Sequence, residues 1–177
     1  MQKVANRLDN LRIPYVFAGD IALCAHGYVM NTVDVDLLVT PEDLTRVHRE
    51  LEGLGYLPPY TGSRNLRDVD TGVAIEFIVT GAYPGDGKPK PVAFPDPRNC
   101  GVEKDGLKFI ALNALVELKL ASGMTSPRRM KDLTDVMELI DICKLKDDFA
   151  NELNPYVRDK FLELWRIVQS DSGQPNA

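Results

Sequence analysis

Cysteine and histidine are scarce in this chain, with three and two among 177 residues. Cys24, Cys100 and Cys143 are odd in number and far apart. They form no Cys-x-x-Cys pair and have no histidine at ligand spacing, which argues against a zinc site or a disulfide framework. His26 and His48 stand alone and read as structural. No apolar run approaches the roughly 18 residues of a membrane span. The first eleven residues are broken by Lys3, Arg7 and Asp9, unlike a secretory signal, so the expected compartment is the cytoplasm. Positive charge is short as well. Lys and Arg total 21 against 26 Asp and Glu, a net charge of -5, which speaks against wrapping nucleic acid through the overall field. Arg128, Arg129 and Lys131 form one basic cluster, read as a solvated helix face or a local groove. Gly85-Asp86-Gly87-Lys88 fails the phosphate-loop spacing at Ala82 and is followed by Pro89, so it reads as a turn-rich loop and a flexible cover.

What remains is an ordinary globular composition, 44% hydrophobic and 27% charged. Val4, Leu8 and Leu11 give one apolar stripe to a helix over 2–12, which ends before Pro14. Tyr15 to Ala18 is a strand ending at Gly19, followed by a helix from Ile21 to His26. Val33 to Val39 is the next strand, and Pro41-Glu42-Asp43 opens a helix running to about Leu54. Strands at 65–69 and 73–79 share the turn Asp70-Thr71-Gly72, and Asp105-Gly106 joins strands at 101–103 and 107–110. Helical periods fill 111–122, 128–144 and 155–168. The expectation is one α+β domain over 1–170, with a core over 13–110, a C-terminal helical cap over 111–170, and a disordered tail over 171–177.

Within the strand around Asp34 and Asp36, alternation puts both carboxylates on one face and Val33, Val35, Leu37 and Val39 on the other. Their Cα atoms are about 6.6 Å apart by strand rise. Like charges this close favour a cation between them, and Mg²⁺, a hard ion held by one or two carboxylates and substrate phosphates, suits them. An edge strand with a polar outer face is the alternative. Glu76 lies in Val73-Ala74-Ile75-Glu76-Phe77-Ile78-Val79, apolar on both sides, and needs a cation, a donor or solvent. Three carboxylates converging on strands are ingredients of metal-assisted phosphoryl chemistry. Upstream, Gly19-Asp20 opens a helix whose N–H groups suit a phosphate, with Asp20 also readable as the N-cap.

Gly19-Asp20, a helix, Asp34-Val35-Asp36 on a strand and Glu76 on a later strand resemble the DNA polymerase β-like nucleotidyltransferase superfamily. His26-Gly27-Tyr28 before Asn31-Thr32-Val33-Asp34-Val35-Asp36 is similar to bacterial minimal and toxin-associated members. So is Leu115 to Gly123 followed by Arg129-Met130-Lys131-Asp132-Leu133, and the likeness spans about residues 13–142. The resemblance implies a nucleotidyltransferase fold, a small mixed sheet flanked by helices with a C-terminal helical cap. It also implies that Asp34, Asp36 and Glu76 hold Mg²⁺ or Mn²⁺, and that Gly19, Asp20, Thr32 and Lys119 meet the nucleotide. Lys119 falls on the apolar stripe of its helix, where it either snorkels outward or reaches phosphate in the cleft as a catalytic group. Lys131 and Asp132 read as surface or cap residues. Two positions depart from the pattern: Asp20 stands where Gly or Ser is usual, and Met30 where arginine is frequent.

Two functions follow. One is an enzyme that moves a nucleoside monophosphate from a nucleoside triphosphate to a hydroxyl on a protein, an RNA end or a small molecule. The other is a catalytically weak module that binds nucleotide or a protein partner within a toxin–antitoxin pair, or forms a homodimer. Asp20 and Met30 favour the second reading, and the intact acidic trio favours the first.

Overall fold

The computed structural model describes residues 1–172 and divides into two compact units. The first comprises Met1–Ala25, Met30–Ala82 and Phe94–Ala111. Its elements are α1 (Gln2–Asn10), β1 (Val16–Ala18), α2 (Gly19–Ala25), β2 (Val35–Val39), α3 (Pro41–Leu51), β3 (Tyr56–Leu57), β4 (Leu66–Asp68), β5 (Ala74–Val79), β6 (Gly101–Lys104) and β7 (Leu107–Ile110). The seven strands form one mixed sheet in the order β3-β4-β5-β2-β1-β7-β6. β2–β5 and β1–β7 are parallel and the other pairs antiparallel.

Local chemistry explains most boundaries. Val4, Ala5 and Leu8 are the buried stripe of α1. The helix ends with Ile13 N–H donating to Leu8 O and Arg12 N–H to Asp9 O, a Schellman closure with Arg12 in the left-handed region at φ 52. Thr40 Oγ1 accepts from Asp43 N at 3.1 Å and Pro41 fills the first turn, so α3 starts where the sequence places it. It stops at Leu51 rather than Leu54, and the chain turns into β3, a two-residue strand too short to show any period. Asp105 and Gly106, at φ 52 and 73, make the left-handed two-residue turn between β6 and β7.

One sheet face carries Tyr15, Phe17, Val35, Leu37, Val39, Ile75 and Phe77, buried with Leu8 of α1 and Val47 and Leu51 of α3. Each such side chain removed from water contributes about 1.5–3 kcal/mol. The strand period then puts Asp36 and Glu76 on the other face.

The second unit comprises His26–Val29, Tyr83–Ala93 and the chain from Leu112 onward. Its helices are α4 (Leu112–Thr125), α5 (Met130–Ile142) and α6 (Pro155–Ser172), which pack on one another, with 3-10 turns at Pro127–Arg129 and Asp147–Glu152. α4 is buried along an unbroken run from Leu118 to Gly123. Gly123 allows close packing against α5, since a Cβ there would lie 2.5 Å from Leu133 Cγ. The segment expected as a flexible cover is tied down instead. Lys90 Nζ donates to Pro84 O and Asp86 Oδ1, both at 2.7 Å. A Cβ on Gly85 would lie 2.3 Å from Thr125 Oγ1. Asp171 and Ser172, expected in a disordered tail, are the end of α6, and residues 173–177 lie outside those described. Among the described residues no helix is long and apolar enough to cross a membrane.

Candidate functional site

β2 lies between β1 and β5, and its register aligns Asp36 with Glu76 on β5 and with Ala18 on β1. Cross-strand partners share a face, at a strand spacing of about 4.7–4.9 Å. Asp36 and Glu76 are therefore neighbours on the sheet face opposite the aromatic core. Asp36 is half-buried and Glu76 exposed, so water reaches the pair. Two adjacent carboxylates in this setting attract a cation or a ring of donors.

Gly19 follows directly on β1, in the left-handed region at φ 58. A Cβ at this position would sit 1.8 Å from Asp36 Oδ2 and 2.7 Å from its Cγ. Glycine is required here twice over, for its backbone conformation and for the space the Asp36 carboxylate occupies. The start of α2 is thereby held against the acid. Gly19→Ala is expected to lower stability by about 1–2 kcal/mol through left-handed strain alone, and to displace the Asp36 carboxylate. Urea melts check the loss of stability, and an unchanged midpoint would contradict it.

The remaining expected residues fall as follows. Asp34 is exposed and precedes β2, so the strand ladder does not fix it as it fixes Asp36. Among the described residues no three His, Cys, Asp or Glu side chains are gathered as a group able to hold an ion. The register thus joins two of the three carboxylates, and Asp34 stands two residues before Asp36, ahead of β2. Thr32 Oγ1 donates to Asp34 O at 3.3 Å and steadies that lead-in. Asp20 lies inside the first turn of α2 rather than ahead of it, because the helix begins at Gly19. Its charge is placed favourably for the helix dipole.

Lys119 belongs to the second unit. Its Nζ lies 2.6 Å from Asp135 Oδ2 and 3.2 Å from Asp132 Oδ1, and Ser122 Oγ donates to Asp132 Oδ2 at 2.6 Å. Asp132 is buried, not the surface or cap residue expected, because the Lys119 ammonium within the helices needs carboxylates to offset its desolvation. Lys131 is exposed, as expected. Sequence reading missed Asp135, although its i+3 spacing from Asp132 signals one helix face. His48 is held by Glu52 Oε2 at 3.1 Å and Arg64 O at 3.0 Å, a structural role.

No family model and no curated protein matches the sequence. Solved structures do. The solution structure of the antibiotic-resistance factor ANT(2'')-Ia is similar over 97% of this chain and 91% of its own, at 14% identity and a TM-score of 0.55. The crystal structure of ANT(2'')-Ia in complex with adenylyl-2''-tobramycin gives 97% and 96% coverage, 14% identity and 0.54. An antigenic nucleotidyltransferase-like protein from Paracoccidioides brasiliensis gives 96% and 85% coverage, 17% identity and 0.52. Likeness at such identity defines the fold. The chain has the nucleotidyltransferase fold.

Proposed function

We propose that this chain is a metal-dependent nucleotidyltransferase, moving a nucleoside monophosphate from a nucleoside triphosphate to a hydroxyl acceptor. The observation that carries this reading is the register of Asp36 beside Glu76, with the backbone of Gly19 pressed against Asp36. Asp36 and Glu76 suit Mg²⁺ or Mn²⁺, offering hard oxygen ligands on one face, and substrate phosphate, with Asp34 drawn in from the lead-in, would complete the shell. Bound there, the ion would supply charge stabilisation at the phosphoryl oxygens and ease ionisation of the acceptor hydroxyl.

The chain's own residues do the rest. Gly19, lacking a side chain, lets the backbone at the start of α2 lie against the Asp36 carboxylate, and on this reading Gly19, Asp20 and Thr32 are the residues that meet the nucleotide. The acceptor oxygen forms a bond to the α-phosphorus, the bond to the bridging oxygen breaks, and pyrophosphate leaves. Adenylyl-2''-tobramycin in the complex of ANT(2'')-Ia makes polyhydroxylated amines the first acceptors to try, alongside protein side chains and RNA ends. Incubation with each nucleoside triphosphate, Mg²⁺ or Mn²⁺ and each acceptor class, followed by intact-mass analysis, tests the reading. A gain of one nucleoside monophosphate with release of pyrophosphate is expected. No pyrophosphate from any combination would overturn it.

Asp20 favours the second reading, a weak or silent nucleotide-binding module, because it brings a carboxylate to the phosphate approach. Asp20→Ser is expected to tighten binding of a non-hydrolysable triphosphate with Mg²⁺, more at low salt than at high salt. Calorimetric titration of both proteins measures this. Equal affinities would place the Asp20 charge away from the phosphates.

A further inference from the structure

At the start of β1, the end remote from Gly19, the first unit contains a cavity of about 500 Å³, within the size range of small-molecule sites. Pro14, Val16 and Pro97 give it apolar walls. Most of the charge around it is neutralised internally. Lys108 Nζ lies 2.6 Å from Asp9 Oδ1, and the Tyr15 hydroxyl donates to Asp9 Oδ2 at 3.2 Å. Arg98 Nε donates to Asp96 Oδ1 at 2.8 Å. Two lining charges have neither a hydrogen bond nor an ion pair among the described residues: the guanidinium of Arg12 and the carboxylate of Glu103. They are not paired with each other, and both border the same cavity.

Arg12 carries a second peculiarity. It occupies the left-handed position that closes α1, where glycine is usual, and a side chain there costs about 1–2 kcal/mol. Lys144 closes α5 in the same way at φ 51, but its ammonium is bonded to Asp141 Oδ1 at 3.0 Å. Arg12 bears the same strain with no such bond, and it lines the cavity.

We propose that this cavity binds a small zwitterion, an amino acid with an apolar side chain. Its carboxylate lies on Arg12, its ammonium on Glu103, and its side chain against Pro14, Val16 and Pro97. The planar guanidinium matches a carboxylate in two parallel hydrogen bonds. A simple anion would leave Glu103 facing it with like charge, and a simple amine would do the same with Arg12. The site is separate from the carboxylates on β2 and β5 and does not depend on nucleotidyl transfer.

The test is calorimetric or NMR titration of the full chain with leucine and phenylalanine, and with two half-ligands, 4-methylpentanoate and isopentylamine. Saturable binding of at least one amino acid is expected, with each half-ligand weaker by about tenfold or more. Arg12→Gly should weaken amino-acid binding by about tenfold to a hundredfold. It should keep the fold, since glycine suits that backbone conformation. Glu103→Gln, exposed on β6, should weaken the amino acid and leave 4-methylpentanoate unaffected or improved. The proposal is overturned if neither amino acid saturates below about 10 mM, if Arg12→Gly leaves binding unchanged, or if a half-ligand binds as tightly as the amino acid.

Discussion

Asp36→Asn is expected to lower nucleotidyl transfer by about 10²- to 10⁴-fold, equivalent to about 3–5 kcal/mol of transition-state stabilisation, while the fold survives. The amide preserves the shape of the side chain beside Gly19 but removes the charge that would hold the ion. Asp36 is central among the three acids because the ladder fixes it on both sides, against Ala18 and against Glu76. Glu76→Gln should act in the same direction. Single-turnover rates with saturating Mg²⁺, together with a urea melt of each variant, separate lost chemistry from lost folding. A rate equal to wild type would exclude Asp36 from the reaction.

Lys119→Met is expected to destabilise the protein by about 3–5 kcal/mol, the cost of leaving buried acids without their cation. The side chains of Lys119, Asp132 and Asp135 are 9%, 11% and 1% exposed, so water cannot replace the ammonium. Asp132 keeps the Ser122 hydroxyl, whereas Asp135 loses its 2.6 Å partner. Adding Asp135→Leu to the methionine variant should recover part of the loss, since an apolar replacement of both partners removes the stranded charge. Denaturant midpoints of the two variants check this. A midpoint unchanged by the single substitution would show that the network contributes nothing to folding.

The elements that a few adjacent residues specify were legible in the sequence. Pro41-Glu42-Asp43 marked the start of α3, Asp105-Gly106 the turn of the last hairpin, and alternation around Asp36 the two faces of β2. Relations between distant segments were not. Nothing near Glu76 says that β5 lies parallel to β2 with Glu76 beside Asp36, because that pairing links residues forty positions apart. The need for glycine at position 19 was readable as a turn and a phosphate approach, but its clearance for the Asp36 carboxylate arises only when β1 and β2 pair. β3 is too short to carry a pattern. α4 hid the extent of its packing: its apolar stripe was readable, but the burial continues around the helix over Leu118 to Gly123, beyond any one stripe. The burial of Asp132 was missed with it, since a carboxylate near a helix start is ordinarily a surface feature.

The two units are interleaved along the chain, the second taking His26–Val29 and Tyr83–Ala93 from within the span of the first. Every strand of the sheet has been synthesised by Ile110, before α4 begins. On the ribosome the sheet can therefore assemble while those two inserts wait for helices that do not yet exist. A stop codon after Ala111 would not release a free-standing sheet unit. It would leave a sheet with two loose segments whose helices were never made, so the halves cannot be traded as separate modules by cutting the gene at one place.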